Sequence, residues 1–309
     1  ASKKDFQMVK EMGMKETGIL VSCSDYHIFN KLHMTRKQAI EHYLNVVRDC
    51  LEVGIRPRCH FEDITRADFY GFVVPFVSEL TKLRKESGVP IKIRACDTMG
   101  YGVSIPGVAL PRSVPGIIYG LRYHARVPSE LIEWHGHNDF YAAVTNSVTA
   151  WLYGAAAVNC SLLGIGERTG NCPLEAMVME YAQLRGTLDG MDTTVITEIA
   201  DYYRTELGEY IAPRTPFVGE YFNVSRAGVH AQPNLRAHLG ARQQRGQEQH
   251  HGVHAQDSRE DRGQSVAAEV PAYRVACGIQ VRRARVIVRR FRRFGVSGDY
   301  GDRQGAHAL

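Results

Sequence analysis

The stretch IEWHGHNDFYAAV, Ile132 to Val144, sets two histidines one residue apart at the end of an apolar run. In an extended strand, residues i and i+2 point to the same side. His135 and His137 therefore present two imidazoles side by side, with Asn138 and Asp139 directly after them. Neutral imidazoles suit zinc, manganese, iron or cobalt, and two protein nitrogens leave room for oxygen ligands and a substrate. An isolated H-x-H pair suits a solvated loop equally well, so its weight depends on the rest of the chain.

Three further clusters carry reactive groups. GIGERTGNCPLE, from Gly164, follows one apolar run and opens a helical pattern. Its glycines at 164, 166 and 170 fall one residue off the dinucleotide fingerprint, and no acidic residue is clearly placed to hold a ribose. It reads better as a tight strand-to-helix turn carrying Glu167, Arg168 and Asn171, the last offering an amide oxygen near a metal. HFEDITRAD supplies Glu62, Asp63 and Arg66. A carboxylate there suits general acid or base work or the orientation of a metal-bound water, while Asp63 and Arg66 equally suit an ion pair closing the end of the fold. In CDTMGYG, Thr98 offers a hydroxyl to a substrate carboxylate, and Met99 and Tyr101 read as packing. His27 ends another apolar run and faces the same way. His230, in FNVSRAGVHA, lies beyond these units, either on the surface or reaching a neighbouring subunit's site.

These residues need a scaffold that brings them together. Up to about residue 215, short apolar runs alternate with amphipathic helical patterns. The runs are TGILVSC, RPRCHFED, IKIRACD, LIEWHGH and AAVNCSLLG, and several of the intervening helices end on glycine. Strand and helix in alternation predict a parallel sheet with helical crossovers. Four of the five strands finish in polar or ionisable groups. An open doubly wound sheet gathers its site at one switch point, whereas a (β/α)8 TIM barrel builds it from the C-terminal ends of many strands. The pattern favours the barrel, with about five βα units visible and a start inside a helix, as in a chain truncated at its N-terminus. The expected organisation is a partial barrel over 1–212, the start of an α-helical subdomain over 213–231, and a tail over 232–309.

The tail has a different character. Residues 232–309 carry 14 arginines against seven acids, so the net charge of +5 over 309 residues leaves the rest of the chain slightly acidic. No helical or strand period is legible there. One reading is a basic RNA-binding tail; the other, favoured by the abrupt switch, is a shift of reading frame. Seven cysteines scattered without a C-x-x-C pair point to a reducing cytoplasmic setting and away from disulfides or a thiolate zinc site. No run approaches the ~20 apolar residues of a membrane span, and the polar opening ASKKDFQMVKEMG is unlike a signal peptide.

In combination, HGHND and GIGERTGN, with FEDITRAD and DTMGYG upstream and SRAGVHA downstream, resemble the 2-isopropylmalate synthase and homocitrate synthase family. The wording of SCSDYHIFNKLHMTR, EDITRADFYGFVVPF and TPFVGEYFNVSRAGVHA is most similar to the branch that includes the Re-face citrate synthases. The resemblance covers residues 1–231. It implies a metal-dependent barrel enzyme, an acyltransferase condensing acetyl-CoA with a 2-oxo acid, as a homodimer without nucleic-acid partners. It makes His135 and His137 ligands of a divalent ion (Mn2+, Mg2+, Zn2+ or Co2+) and puts Asn171 beside it. It makes Glu62 a catalytic acid, Thr98 a 2-oxo-acid contact and His27 a lining residue, with Arg66 among the substrate-binding groups. It has His230 reach into the partner's site. Two departures matter: the family's Arg-Asp pair, which supplies a metal ligand, has no counterpart, and the Arg/Gln-rich tail replaces the helical subdomain. The resemblance therefore implies weak metal binding and little turnover by this chain alone. A metal-dependent carbon–carbon lyase on the same barrel is the rival enzyme, and a non-catalytic RNA-binding protein is the rival of a different class.

Overall fold

The computed structural model describes residues 1–223 and 274–277. All five apolar runs form strands, and the patterns between them form helices. The chain runs α1 (Lys3–Glu11), β1 (Glu16–Ser22), α2 (Arg36–Val53), β2 (Arg56–Glu62), α3 (Val74–Ser87), β3 (Lys92–Asp97), α4 (Val114–Tyr119), β4 (Ile132–Gly136), α5 (Ala143–Tyr153), β5 (Ala157–Cys160), α6 (Leu174–Arg185), α7 (Val195–Thr205) and β6 (Arg274–Cys277). The strands form one sheet in chain order, and each neighbouring pair is parallel. A doubly wound sheet reverses direction at a switch point. This one never reverses, so successive crossovers step the same way, as in the wall of a barrel. β6 comes from the tail, where the sequence shows no strand pattern. The rest of the tail and His230 lie outside the described residues.

The chain divides into two units, and α7 belongs to the second, which begins at Leu188. Among the described residues, no helix is long and apolar enough to cross a membrane.

Local sequence explains the elements that carry the site. Helix α2 opens on a capping box: the Thr35 hydroxyl accepts the Gln38 N–H at 3.3 Å, and the Gln38 side chain accepts the Thr35 N–H at 2.9 Å. It stops at Gly54, whose φ of 86° is open to glycine at little cost. Its buried stripe of Ala39, Tyr43, Val46, Val47 and Cys50 has helical spacing. In β2, Pro57, Cys59 and Phe61 are buried while Arg58, His60 and Glu62 take the other face. Phe61 meets Phe76 of α3 with ring centroids 5.3 Å apart, and Tyr43 of α2 lies 5.7 Å from the same ring. Burying a large apolar side chain of this kind contributes roughly 1.5–3 kcal/mol. Helices thus cover one face of the sheet and leave the other to polar residues.

Low on that second face lies an ion-pair layer. Arg94 meets Glu133 at 2.7 Å, Arg58 meets it at 3.0 Å and Lys92 at 3.4 Å, and Lys92 reaches Glu16 at 3.1 Å. Arg58 also pairs with Glu16. Glu133 is buried, yet its carboxyl stays below the usual range: burial pushes it up, and the cations Arg94, Arg58 and Lys92 outweigh that effect.

Candidate active site

Pairing register places one residue from each strand in a single row at the C-terminal end of the sheet. Ser22 pairs with Glu62, Glu62 with Cys96, Cys96 with His135, and His135 with Asn159. Strand alternation turns all five to the helix-free face. The row is one step above the ion-pair layer.

At the β4 position, the two imidazoles meet as their spacing predicts. His135 Nε2 lies 3.1 Å from His137 Nε2. His135 Nδ1 donates to Asn159 Oδ1 at 2.7 Å, which leaves its Nε2 as a bare lone pair. Burial, followed by His137 and Arg94, pushes the His135 pKa down to about 3. Burial also lowers that of His137, with the Arg168 charge next. Both are therefore held in the neutral form that ligates metals. Two nitrogens this close need a shared proton or cation between them, and His137 Nδ1 has no hydrogen-bond partner among the described residues.

Glu62 sits at the β1–β2 end of the row. Its Oε2 accepts the Ser22 hydroxyl and lies 3.5 Å from His27 Nδ1, while Lys31 Nζ lies 3.6 Å from Oε1. His27 also comes within 3.9 Å of Asp63. The structure thus joins Glu62 and His27, as the sequence suggests, and adds Ser22 and Lys31.

Asp63 and Arg66 form a fork-like pair. Arg66 Nε donates to both Asp63 oxygens at 2.8 and 3.0 Å, and Nη2 lies 2.8 Å from Oδ2. The Arg66 guanidinium also lies over the rings of Tyr26 and Tyr101, at 5.6 and 5.9 Å. Asp63 is fully buried and left-handed at φ 67°, and its N–H donates to Thr98 Oγ1 at 2.8 Å. The Thr98 hydroxyl proton has the Cys96 carbonyl at 3.4 Å as a distant acceptor.

The turn from Gly164 delivers two residues. Asn171 forms an isolated antiparallel bridge with His137, which brings it to the imidazole pair through its backbone. Its side-chain oxygen packs so closely on Gly166 that a Cβ there would sit 1.7 Å from it. Arg168 donates from Nε to Asp139 Oδ1 at 2.8 Å and from Nη2 to Asp139 Oδ2 at 3.0 Å and the Thr98 carbonyl at 2.6 Å. Asp139, grouped with the histidines on sequence, is thus paired to Arg168.

Among the described residues, no group of three or more His, Cys, Asp or Glu is placed to hold a metal ion. The donors present are the two imidazoles, with Asn171 adjacent. Sequence reasoning overlooked Asn159 and the Arg168–Asp139 pair. Asn159 could have been found from its place two residues after Ala157, on the same strand face. The Arg168 pair spans 29 residues and has no local signal.

A family model described as HMGL-like matches residues 1–202. Among curated proteins, the citrate (Re)-synthase of Clostridium kluyveri is 64% identical over 76% of this chain and 52% of its own length. The citrate (Re)-synthase of Syntrophus aciditrophicus is 60% identical over 75% of this chain and 37% of its own. The chain thus spans about half or less of the length of these relatives. A crystal structure of hydroxymethylglutaryl-CoA lyase from Pseudomonas aeruginosa superposes with a TM-score of 0.53 at 20% identity, covering 67% of this chain and 68% of that one. That likeness concerns the fold, and it agrees with the one-directional sheet. With its sequential parallel strands and its polar row at their C-terminal ends, the chain belongs to the HMGL-like family.

Proposed function

We propose that this chain is part of a divalent-metal-dependent enzyme that condenses acetyl-CoA with a 2-oxo acid and releases CoA, with oxaloacetate as the oxo acid and citrate as the product. The observation that carries the reading is the facing pair of neutral imidazoles, His135 and His137, with the His135 tautomer fixed by Asn159. The identities to two citrate (Re)-synthases support the choice of oxaloacetate.

The donor set fits a divalent ion. His135 and His137 would hold it through Nε2, and Asn171 would stand beside it. An ion so held makes the carbonyl carbon of a 2-oxo acid more electrophilic. Asn159 keeps the His135 lone pair free for this task, the orienting role that outer partners of ligating histidines perform. Glu62, in contact with Ser22 and His27, would hold and move a proton at Oε2. His230, outside the described residues, is proposed as its partner in taking the proton from the acetyl methyl group. Thr98 accepts the Asp63 N–H and has an O–H available for the oxo-acid carboxylate. Arg66, held by Asp63, would line the same pocket through its remaining guanidinium edge. A homodimer and a cytoplasmic setting belong to the same proposal.

The test is thiol release from acetyl-CoA with Mn2+, using this chain joined to the segments its Clostridium relative has outside the matched region. Oxaloacetate, 2-oxoglutarate and 2-oxoisovalerate are offered separately. Release with oxaloacetate alone is expected. Release with another of the three keeps the condensation and changes the oxo acid. Silence with all three, in a folded and metal-loaded protein, overturns the reading in favour of a lyase.

A further inference from the structure

The loops after β2, β3, β4 and β5 are joined by one continuous chain of polar contacts. Arg66 holds Asp63 through its guanidinium, and the Asp63 N–H donates to Thr98 Oγ1. The Thr98 carbonyl accepts Arg168 Nη2, and Arg168 grips both oxygens of Asp139. Asp139 stands two residues beyond His137. The Asn138 N–H donates to the Gly170 carbonyl at 2.9 Å, which ties the same two loops a second time. Below them, a Cβ on Gly100 would lie 3.1 Å from the His137 carbonyl and 3.2 Å from the Asp139 nitrogen. The β3 and β4 loops are therefore packed with no spare room. Arg168 is itself left-handed, at φ 53°, a conformation that non-glycine residues keep only where surrounding contacts hold them.

The geometry points to Arg168 as a positioning residue that fixes His137 and Thr98 relative to one another, and so sets metal affinity and oxo-acid binding without touching either ligand. This rests on the condensing-enzyme reading only for the identity of the substrate. A guanidinium suits the role because its planar fork meets a carboxylate through two donors while a further N–H direction remains for a carbonyl. Lysine in its place keeps the charge and loses the fork.

The test uses the extended protein described above, unsubstituted and as Arg168→Gln and Arg168→Lys. Co2+ affinity is read from its visible absorbance, KM and kcat from thiol release, and folding from the thermal midpoint. Arg168→Gln is expected to weaken Co2+ binding about tenfold or more, the usual cost of removing an outer partner of a metal site. It should also raise the oxo-acid KM while leaving that for acetyl-CoA in place. Arg168→Lys should recover the thermal midpoint but not the Co2+ affinity. A lowered midpoint with Co2+ affinity unmoved overturns the proposal and leaves Arg168 a structural clasp. If the unsubstituted protein binds Co2+ but condenses nothing, the Co2+ shift alone decides this inference while the functional reading falls. Absence of Co2+ binding by the unsubstituted protein overturns both.

Discussion

Two neighbouring layers on one face of the sheet treat polar groups in opposite ways. In the lower layer, Glu16 and Glu133 are shared among Arg58, Lys92 and Arg94, and each charge meets a counter-charge. One step towards the C-terminal ends, Ser22, Glu62, Cys96, His135 and Asn159 keep capacity in reserve. Glu62 accepts the Ser22 hydroxyl and keeps His27 and Lys31 at longer range, and His135 turns a lone pair towards another imidazole. Buried charges without partners are costly, so a saturated layer belongs to the framework. Unsaturated groups persist where a ligand completes them.

The lower layer should break hardest. Glu133→Gln leaves three cations short of their common partner, and a loss of about 3–5 kcal/mol is expected in denaturant unfolding. A variant as stable as the parent would mean the layer is dispensable. In the upper layer, Asn159→Leu should lower metal affinity by about 10–100-fold, by freeing the His135 tautomer, with a smaller change in unfolding midpoint. Equal metal affinity in titration would remove Asn159 from the site. Thr98→Val deprives the buried Asp63 N–H of its acceptor and should cost about 1–3 kcal/mol, read from the same unfolding curves.

The gentlest effect concerns His60, which pairs in register with Arg94 of the lower layer. Burial, with Arg94 and Arg58 next, lowers its pKa to about 4 from 6.5. The unfolded chain therefore binds a proton that the fold refuses between those values. The contribution of His60 is complete above about pH 6.5 and is lost progressively as pH falls towards 4. His60→Gln should reduce the slope of stability over that window while the buried His135 and His137 keep theirs, and an unchanged slope would place the sensitivity elsewhere.

Much of this architecture is written locally. The five strands follow from apolar runs bounded by turns, and α2 follows from Thr35, Gln38 and Gly54. The His135–His137 contact follows from the period of two along a strand. The lower ion-pair layer was not legible, because Arg58, Lys92, Arg94 and Glu133 read individually as ordinary polar residues of three different strands. The same holds for Asp139, which follows the two histidines closely in sequence and whose actual partner is Arg168.

The sequence alone determined the type of the elements from β1 to α6, the side of each of those strands a residue faces, and the family, because these rest on short-range periodicity and motif. Tertiary structure alone decided which residues of different strands and loops meet. Register set Glu62, Cys96, His135 and Asn159 in one row, and loop packing gave Asp139 to Arg168. Those contacts join residues tens of positions apart, and hydrogen-bond geometry across strands, rather than spacing along the chain, selects them.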